Sequence, residues 1–360
     1  MIQSTRDNKK RKVGGTAMVT IKDVAKRVNV SPSTVSRVIA NSSRISEKTK
    51  ERVRRAMDEL GYHPNLNARS LSNKATQTIG VIMPITAQYS FQNPFFPEVI
   101  RGISMKAYQD NYGLYLSTGQ KEEEIFEEVK QMVYGGRVDG ILLLYSSIND
   151  KIMPFLQEKN FPFVLIGRPH NIDENDITFV NNDNVKKTKT LTEYLLLLGH
   201  KKIGFISGSL DYVVTIDNLE GYKTALNNAN ISIREEYIVL EENYQKEIME
   251  TGQDAVIELM SLEERPTALV VTDDIMTFGV LSMLGEMGIR VPEDLSIVSS
   301  NNVMISELSS PPMTTADINI YDLGYKGVEY LINKIKEPEL PEKKLIVPYK
   351  LIKRQSCKKI

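Results

Sequence analysis

A chain of 360 residues is too long for one small domain and suits two or three. The formal net charge is −1, but residues 1–75 carry 17 Lys+Arg against 6 Asp+Glu while the rest carries 28 against 40, so a basic segment meant for a polyanion leads an acidic body. A single cysteine, Cys357, excludes an internal disulfide framework, and no run of about 18 apolar residues could span a bilayer; a reducing cytoplasm is the expected compartment.

Residues 1–17 contain Lys9-Lys10-Arg11-Lys12 with no apolar stretch behind them, which reads as a disordered basic extension and not a secretory signal. Organised sequence begins after it. Ile21, Val24, Ala25 and Val28 recur at helical spacing, with Thr20 and Asp23 placed as a capping box. Ser31 can cap a second helix with Pro32 at its first position, and Val35, Val38 and Ile39 form its apolar face. Ser33, Thr34, Ser36 and Arg37 point away from that face. Ser46 can cap a third helix carrying Val53, Ala56, Met57 and Leu60, ended by Gly61. Two short helices with a tight turn and a covering third is the helix-turn-helix arrangement. Hydroxyls at the start of the second helix can reach phosphates or base edges, and Arg37 can bridge the two acceptors of guanine. The bland alternative is a three-helix bundle with an incidental polar face.

Thr20-Ile21-Lys22-Asp23-Val24-Ala25, then Val30-Ser31-Pro32-Ser33-Thr34-Val35-Ser36-Arg37-Val38, then Gly61-Tyr62-His63-Pro64-Asn65, resemble the lactose-repressor/galactose-repressor (LacI/GalR) family, and the likeness covers nearly all of residues 19 to 356. The resemblance implies a dimeric, ligand-responsive transcriptional repressor. It implies a helix-turn-helix domain over 18–64 in which Thr20, Ser31, Pro32, Ser33, Thr34, Arg37, Asn41, Arg44 and Tyr62 face double-stranded operator DNA. Residues 65–76 are then a hinge helix, too short to be stable alone. In it Asn65 meets DNA, Ala68 allows close helix pairing, and Leu71 wedges into the minor groove. A flexible linker is the plain alternative.

From Ile79 short apolar runs alternate with amphipathic stretches. Strands are predicted over 79–83, 113–118, 138–144, 163–166, 202–207, 237–240, 268–271 and 295–299, with helices over 96–109, 122–134, 186–198, 218–228, 246–260, 275–287 and 320–335. Continuous apolar strands between helices imply doubly wound parallel sheets covered on both faces. The family implies two such subdomains in a periplasmic-binding-protein-like body spanning 77–360. The chain is expected to cross between them near Val180, Thr314 and Lys343, so that the first holds about 77–180 and 315–342 and the second about 181–314 and 343–360.

Ligands of open α/β sheets bind beyond the carboxyl ends of the strands. Phe95 and Phe96 follow the first strand, where they either stack on a ligand or pack in the core. Arg168 follows the fourth, Asp273 the seventh, which ends at Val271, and Asn301 the last. Asp183 opens a helix and is either a ligand contact or simply a cap. The family has an arginine where this chain has Asn218, preceded by Asp217, and an aspartate where it has Asn301. Loss of both charges points to a neutral ligand read by amides and carboxylates, such as a sugar. Phe91 to Gly102 looks most like the maltose-operon repressor branch of Gram-positive bacteria, which implies maltose or a related glucoside as inducer.

Two other readings exist. One is a global carbon-catabolite regulator of the same family that takes a phosphorylated carrier protein as corepressor. The other is a sugar-binding transport protein, which has no use for the basic segment. No glycine-rich phosphate loop, metal-ligand spacing or nucleophile signature occurs near the three histidines, so neither an enzyme, a cofactor nor a metal is expected. The expected partners are operator DNA, a small sugar and a second copy of the chain, in the nucleoid-associated cytoplasm and away from membranes.

Overall fold

Each of the first three helices starts at a side-chain cap. The structure, a computed structural model, describes residues 19–39, 41–62, 75–84, 87–241 and 247–360. It places α1 at Ile21–Val28, α2 at Pro32–Ile39 and α3 at Glu47–Leu60. The Asp23 carboxylate accepts from the Thr20 N–H at 2.8 Å and from its hydroxyl at 2.7 Å. Ser31 Oγ accepts from the Thr34 N–H at 3.1 Å, and Ser46 Oγ from the Thr49 N–H at 3.4 Å. Gly61 ends α3 at φ +64°, the left-handed conformation that glycine adopts without steric cost. Val24, Ala25, Val35, Val38, Val53 and Ala56 form the core of this segment, with Tyr62 packed against it.

The chain divides into two compact units, Met1–Ala75 and Thr76–Ile360. Residues 65–74 of the expected hinge helix, with Asn65, Ala68 and Leu71, lie outside the described residues, as do the basic extension and His63.

The second unit opens with Thr76 and Gln77, whose N–H groups both donate to Asp139, at 2.6 and 2.7 Å. It holds two sheets. The first contains β1 (Thr78–Ile82), β2 (Gly113–Leu116), β3 (Gly140–Leu143), β4 (Phe163–Ile166), β5 (Phe179–Asn181) and β11 (Lys344–Ile346), in the order β11-β5-β4-β3-β1-β2. The second contains β6 (Ile203–Ser207), β7 (Ile238–Leu240), β8 (Ala268–Val271), β9 (Ser296–Asn301), β10 (Thr314–Asp317) and β12 (Lys350–Ile352), in the order β12-β10-β9-β8-β6-β7. All pairings are parallel except β10 with β12. β3, β4 and β8 are buried at every position, as strands covered on both faces must be.

Ten described helices connect these strands: α4 (Ala87–Gln92), α5 (Phe95–Gln109), α6 (Glu122–Tyr134), α7 (Ile152–Glu158), α8 (Asn184–Leu197), α9 (Val213–Asn228), α10 (Ile248–Ser261), α11 (Asp274–Glu286), α12 (Met304–Leu308) and α13 (Ile320–Lys336). α5 and α13 touch backbone to backbone. A Cβ on Gly102 would lie 2.1 Å from the Tyr321 carbonyl oxygen, and one on Gly324 would lie 2.1 Å from that of Val99.

Two crossings differ from expectation. Thr314–Asp317 pairs with β9, so the second crossing follows Asp317 and not Thr314. Lys344–Ile346 pairs with β5 in the first sheet, and the Val347 N–H donates to the Asn181 carbonyl at 2.7 Å. The third crossing therefore lies at 347–349 and not near Lys343. Each short strand satisfies its backbone groups in a sheet, Lys344–Ile346 at an edge and Thr314–Asp317 between β9 and β12, and neither carries a long apolar run that would have marked it. Asn182 sits at the first crossing, and its Nδ2 donates to the Ile318 carbonyl at 3.0 Å and the Val347 carbonyl at 2.9 Å.

Candidate functional site

On the first unit, α2 turns its polar side outward. Thr20, Ser31, Pro32, Ser33, Ser36, Arg37, Asn41 and Arg44 are exposed and Thr34 is half-buried. Ser31 Oγ lies 2.7 Å from Ser33 Oγ and 2.9 Å from Thr34 Oγ1, so the hydroxyls cluster at the start of α2. Asn41 Oδ1 accepts from Arg54 Nη2 at 3.1 Å. Arg37, on α2, and Arg44 are exposed cations of the same unit. The backbone N–H groups at that helix start and these cations suit an anionic backbone, and the small side chains allow close approach to base edges.

In the second unit a cavity of about 540 Å³ lies beyond the strand ends of both sheets. From the first sheet's side come Phe95, Phe96 and Arg168, and from the second sheet's side Asp217, Asn218, Asp273 and Asn301. Phe95 and Phe96 meet edge to face at 5.2 Å and also pack on the first sheet's core, so one face of the cavity is aromatic and rigid.

The charged groups are engaged with one another. Arg168 Nε donates to both carboxylate oxygens of Asp217, at 2.9 and 3.0 Å, and its Nη2 donates to Oδ1 at 2.5 Å. Asp217 is only 2% exposed, and its hydrogen bonds, with its charge, raise the pKa of the Arg168 guanidinium above the ordinary arginine value. Asp273 caps α11, accepting from the Ile275 and Met276 N–H groups at 2.8 and 3.1 Å. Its other oxygen accepts from Asn93 Nδ2 at 3.0 Å and Asn301 Nδ2 at 3.1 Å. Burial pushes the Asp273 carboxyl up, and these four donors oppose the shift. Asn218 is buried and its Oδ1 accepts from Thr188 Oγ1 at 2.8 Å.

Arg168–Asp217 and Asn93–Asp273 thus join residues that follow strands of opposite sheets. So do the backbone bonds from the Val213 N–H to the Ser146 carbonyl at 3.1 Å and from the Ile148 N–H to the Asp211 carbonyl at 2.9 Å.

One expected site residue falls away. Asp183 is exposed, lies off the cavity, and caps α8 by accepting from the Lys186 N–H at 2.9 Å. Asn93, within the Phe91 to Gly102 stretch, and Asp274, next to Asp273, also follow strands, while Lys187 was not expected at the cavity. Asp274 is fully buried beside Asp273, its Oδ1 accepting from Thr315 Oγ1 at 3.1 Å and its Oδ2 from the Val303 N–H at 2.8 Å. Burial pushes its pKa up to about 7. Lys187 is 2% exposed and lines the cavity. It stands four residues before Leu191 and eight before Leu195 on the inward stripe of α8, a spacing that was there to be read.

Among the described residues no group of His, Cys, Asp and Glu has the arrangement of a metal site, and no helix is long and apolar enough to cross a membrane.

Residues 20–65 match the family described as bacterial regulatory proteins, lacI family, and residues 192–357 match the periplasmic binding protein-like domain. The HTH-type transcriptional regulator MalR of Streptococcus pneumoniae is 39% identical over 322 residues, covering 89% of this chain and 93% of the relative. The chain belongs to the LacI family. LacI-family relatives of this kind are named transcriptional regulators and not enzymes, and this chain is a transcriptional regulator with a helix-turn-helix DNA-binding domain. The solved structure of the transcriptional regulator CelR–cellobiose complex is 28% identical with a TM-score of 0.71, covering 94% of this chain and 99% of that one. The lac repressor dimer bound to operator and the anti-inducer ONPF is 25% identical with a TM-score of 0.80, covering 94% and 98%.

Proposed function

We propose that this LacI-family protein represses a sugar-utilisation operon as a homodimer on operator DNA, and that a sugar in the cavity releases it. The observation that carries the sugar is the lining of the cavity. An aromatic face suits the C–H side of a pyranose, and amides with paired charges suit its hydroxyls while offering no free cationic cluster for a phosphate. The likeness to MalR and to a cellobiose-bound regulator supports a glucoside, and maltose is the proposed inducer. The likeness to an operator-bound dimer supports the DNA and the pairing. In this reading Ser31, Ser33, Thr34, Arg37, Asn41 and Arg44 meet operator DNA with Thr20, Pro32 and Tyr62 placing the helices. Residues 65–76 form the hinge, and Leu71 bends the duplex from it.

Closing the cleft on maltose rotates one subdomain against the other and separates two paired hinges, which a short helix has little stability to resist. By linkage, operator must then weaken maltose affinity by the factor by which maltose weakens operator affinity. Calorimetric titration of maltose with and without saturating operator tests this. Weaker binding on the operator is expected, and tighter binding would make maltose a corepressor.

A further inference from the structure

The lining of the cavity contains two polar atoms that no described residue satisfies. The Ser146 hydroxyl, buried after β3, has no hydrogen-bond partner. Lys187, 98% enclosed in the first turn of α8, makes neither a hydrogen bond nor an ion pair with any described residue. Both line the same cavity, one from each sheet's side. A buried ammonium without a partner is costly, and natural interiors rarely keep one unless something else meets it.

We infer that Lys187 is the ligand-reading cation of this cleft, its ammonium donating to hydroxyl oxygens of a neutral sugar whose far side is held by the Ser146 hydroxyl. This deepens the sugar-inducer reading and rests on it.

The charge around Lys187 selects a neutral ligand over an anionic one. The charged groups that face it are Asp217 on α9 and Asp273 and Asp274 at the head of α11. Asp217 is already neutralised by Arg168. Asp273 and Asp274 are fully supplied with donors, so they balance the ammonium through space and offer it no hydrogen bond. An added carboxylate or phosphate would meet those acids, whereas a hydroxyl takes a charge-assisted bond without adding charge. α8 cannot draw Lys187 away, because it is pressed against α9 at Gly221, where a Cβ would lie 2.2 Å from the Val185 carbonyl oxygen.

Burial lowers the Lys187 pKa to about 8. A sugar that bonds the ammonium restores the charged form, so binding takes up a proton above that pH and affinity falls as pH rises from 8 to 10.

The test uses the full chain, with maltose, glucuronate and glucose 6-phosphate as probes, titrated calorimetrically against wild type, Lys187→Met and Ser146→Ala. Without ligand, Lys187→Met should melt no lower than wild type, because an apolar side chain replaces an unpaired buried charge. With maltose it should bind at least about tenfold more weakly, with the pH slope gone, and Ser146→Ala about threefold more weakly. Maltose binding that is equal in wild type and Lys187→Met, with the same pH slope, overturns the role of Lys187 and leaves the sugar reading standing. Binding of glucuronate or glucose 6-phosphate in preference to maltose overturns the neutral-ligand inference. Binding of none of the three overturns the sugar reading, and the inference falls with it.

Discussion

The two units of this protein place their polar residues by opposite rules. In the helix-turn-helix unit, the caps and the hydroxyl cluster that face outward are set by neighbours a few positions away. Thr20 and Asp23 are three residues apart, as are Ser31 and Thr34. In the cleft unit the polar side chains are enclosed and held by distant partners. Arg168 meets Asp217 across 49 residues, Asn301 meets Asp273 across 28, and Asn93 meets Asp273 across 180. The contrast teaches that an exposed polar face is a property of local sequence, while a buried polar site is a property of the fold.

The comparison can be broken most forcefully at Gly102. Gly102→Val forces α5 off α13 at a backbone contact and should destabilise the cleft unit by about 3 kcal/mol, lowering its melting transition while α1–α3 keep theirs. A single transition shifted as a whole in calorimetry would show that the units do not melt separately. Next comes Asp217→Asn, which strands the Arg168 guanidinium in a half-buried position. It should cost about 2 kcal/mol by chemical denaturation, less than for a wholly buried pair because water reaches the arginine. An unchanged denaturation midpoint would mean that solvent already satisfies Arg168.

Arg37→Ala should act on the other side of the comparison. It should leave the melting temperature unchanged and weaken operator binding by about 2 kcal/mol in gel-shift titration, with relaxed preference at one base pair. Equal weakening on scrambled DNA would reduce Arg37 to a phosphate contact. The smallest effect belongs to Ser46→Ala, which removes the α3 cap and should cost the helix unit about 1 kcal/mol without touching maltose binding.

Legibility followed the same divide. The helices α1, α2 and α3 were readable because caps and apolar spacing are written within one or two turns. The doubly wound sheets were readable because β3, β4 and β8 are unbroken apolar runs. β11 and β12 were not, since each is three residues long and half exposed, held by its backbone partners and not by side-chain pattern. In the site, Phe95, Phe96, Arg168 and Asn301 could be listed by their place after strands. That Arg168 would be matched by Asp217 could not, because nothing near either residue names the other. Asp183 misled for a local reason: an aspartate at a helix start satisfies backbone N–H groups whether or not a ligand is near. Lys187 was hidden by its type, since lysines in amphipathic helices ordinarily face water.

The amide of Asn182 has a mechanical consequence. Its two N–H bonds end on carbonyls of the other two crossing segments, at Ile318 and Val347. Three crossing segments that could each bend on their own are therefore tied together at one side chain. The three crossing segments are thereby coupled at one point, so a swing of one half about that joint moves all three together.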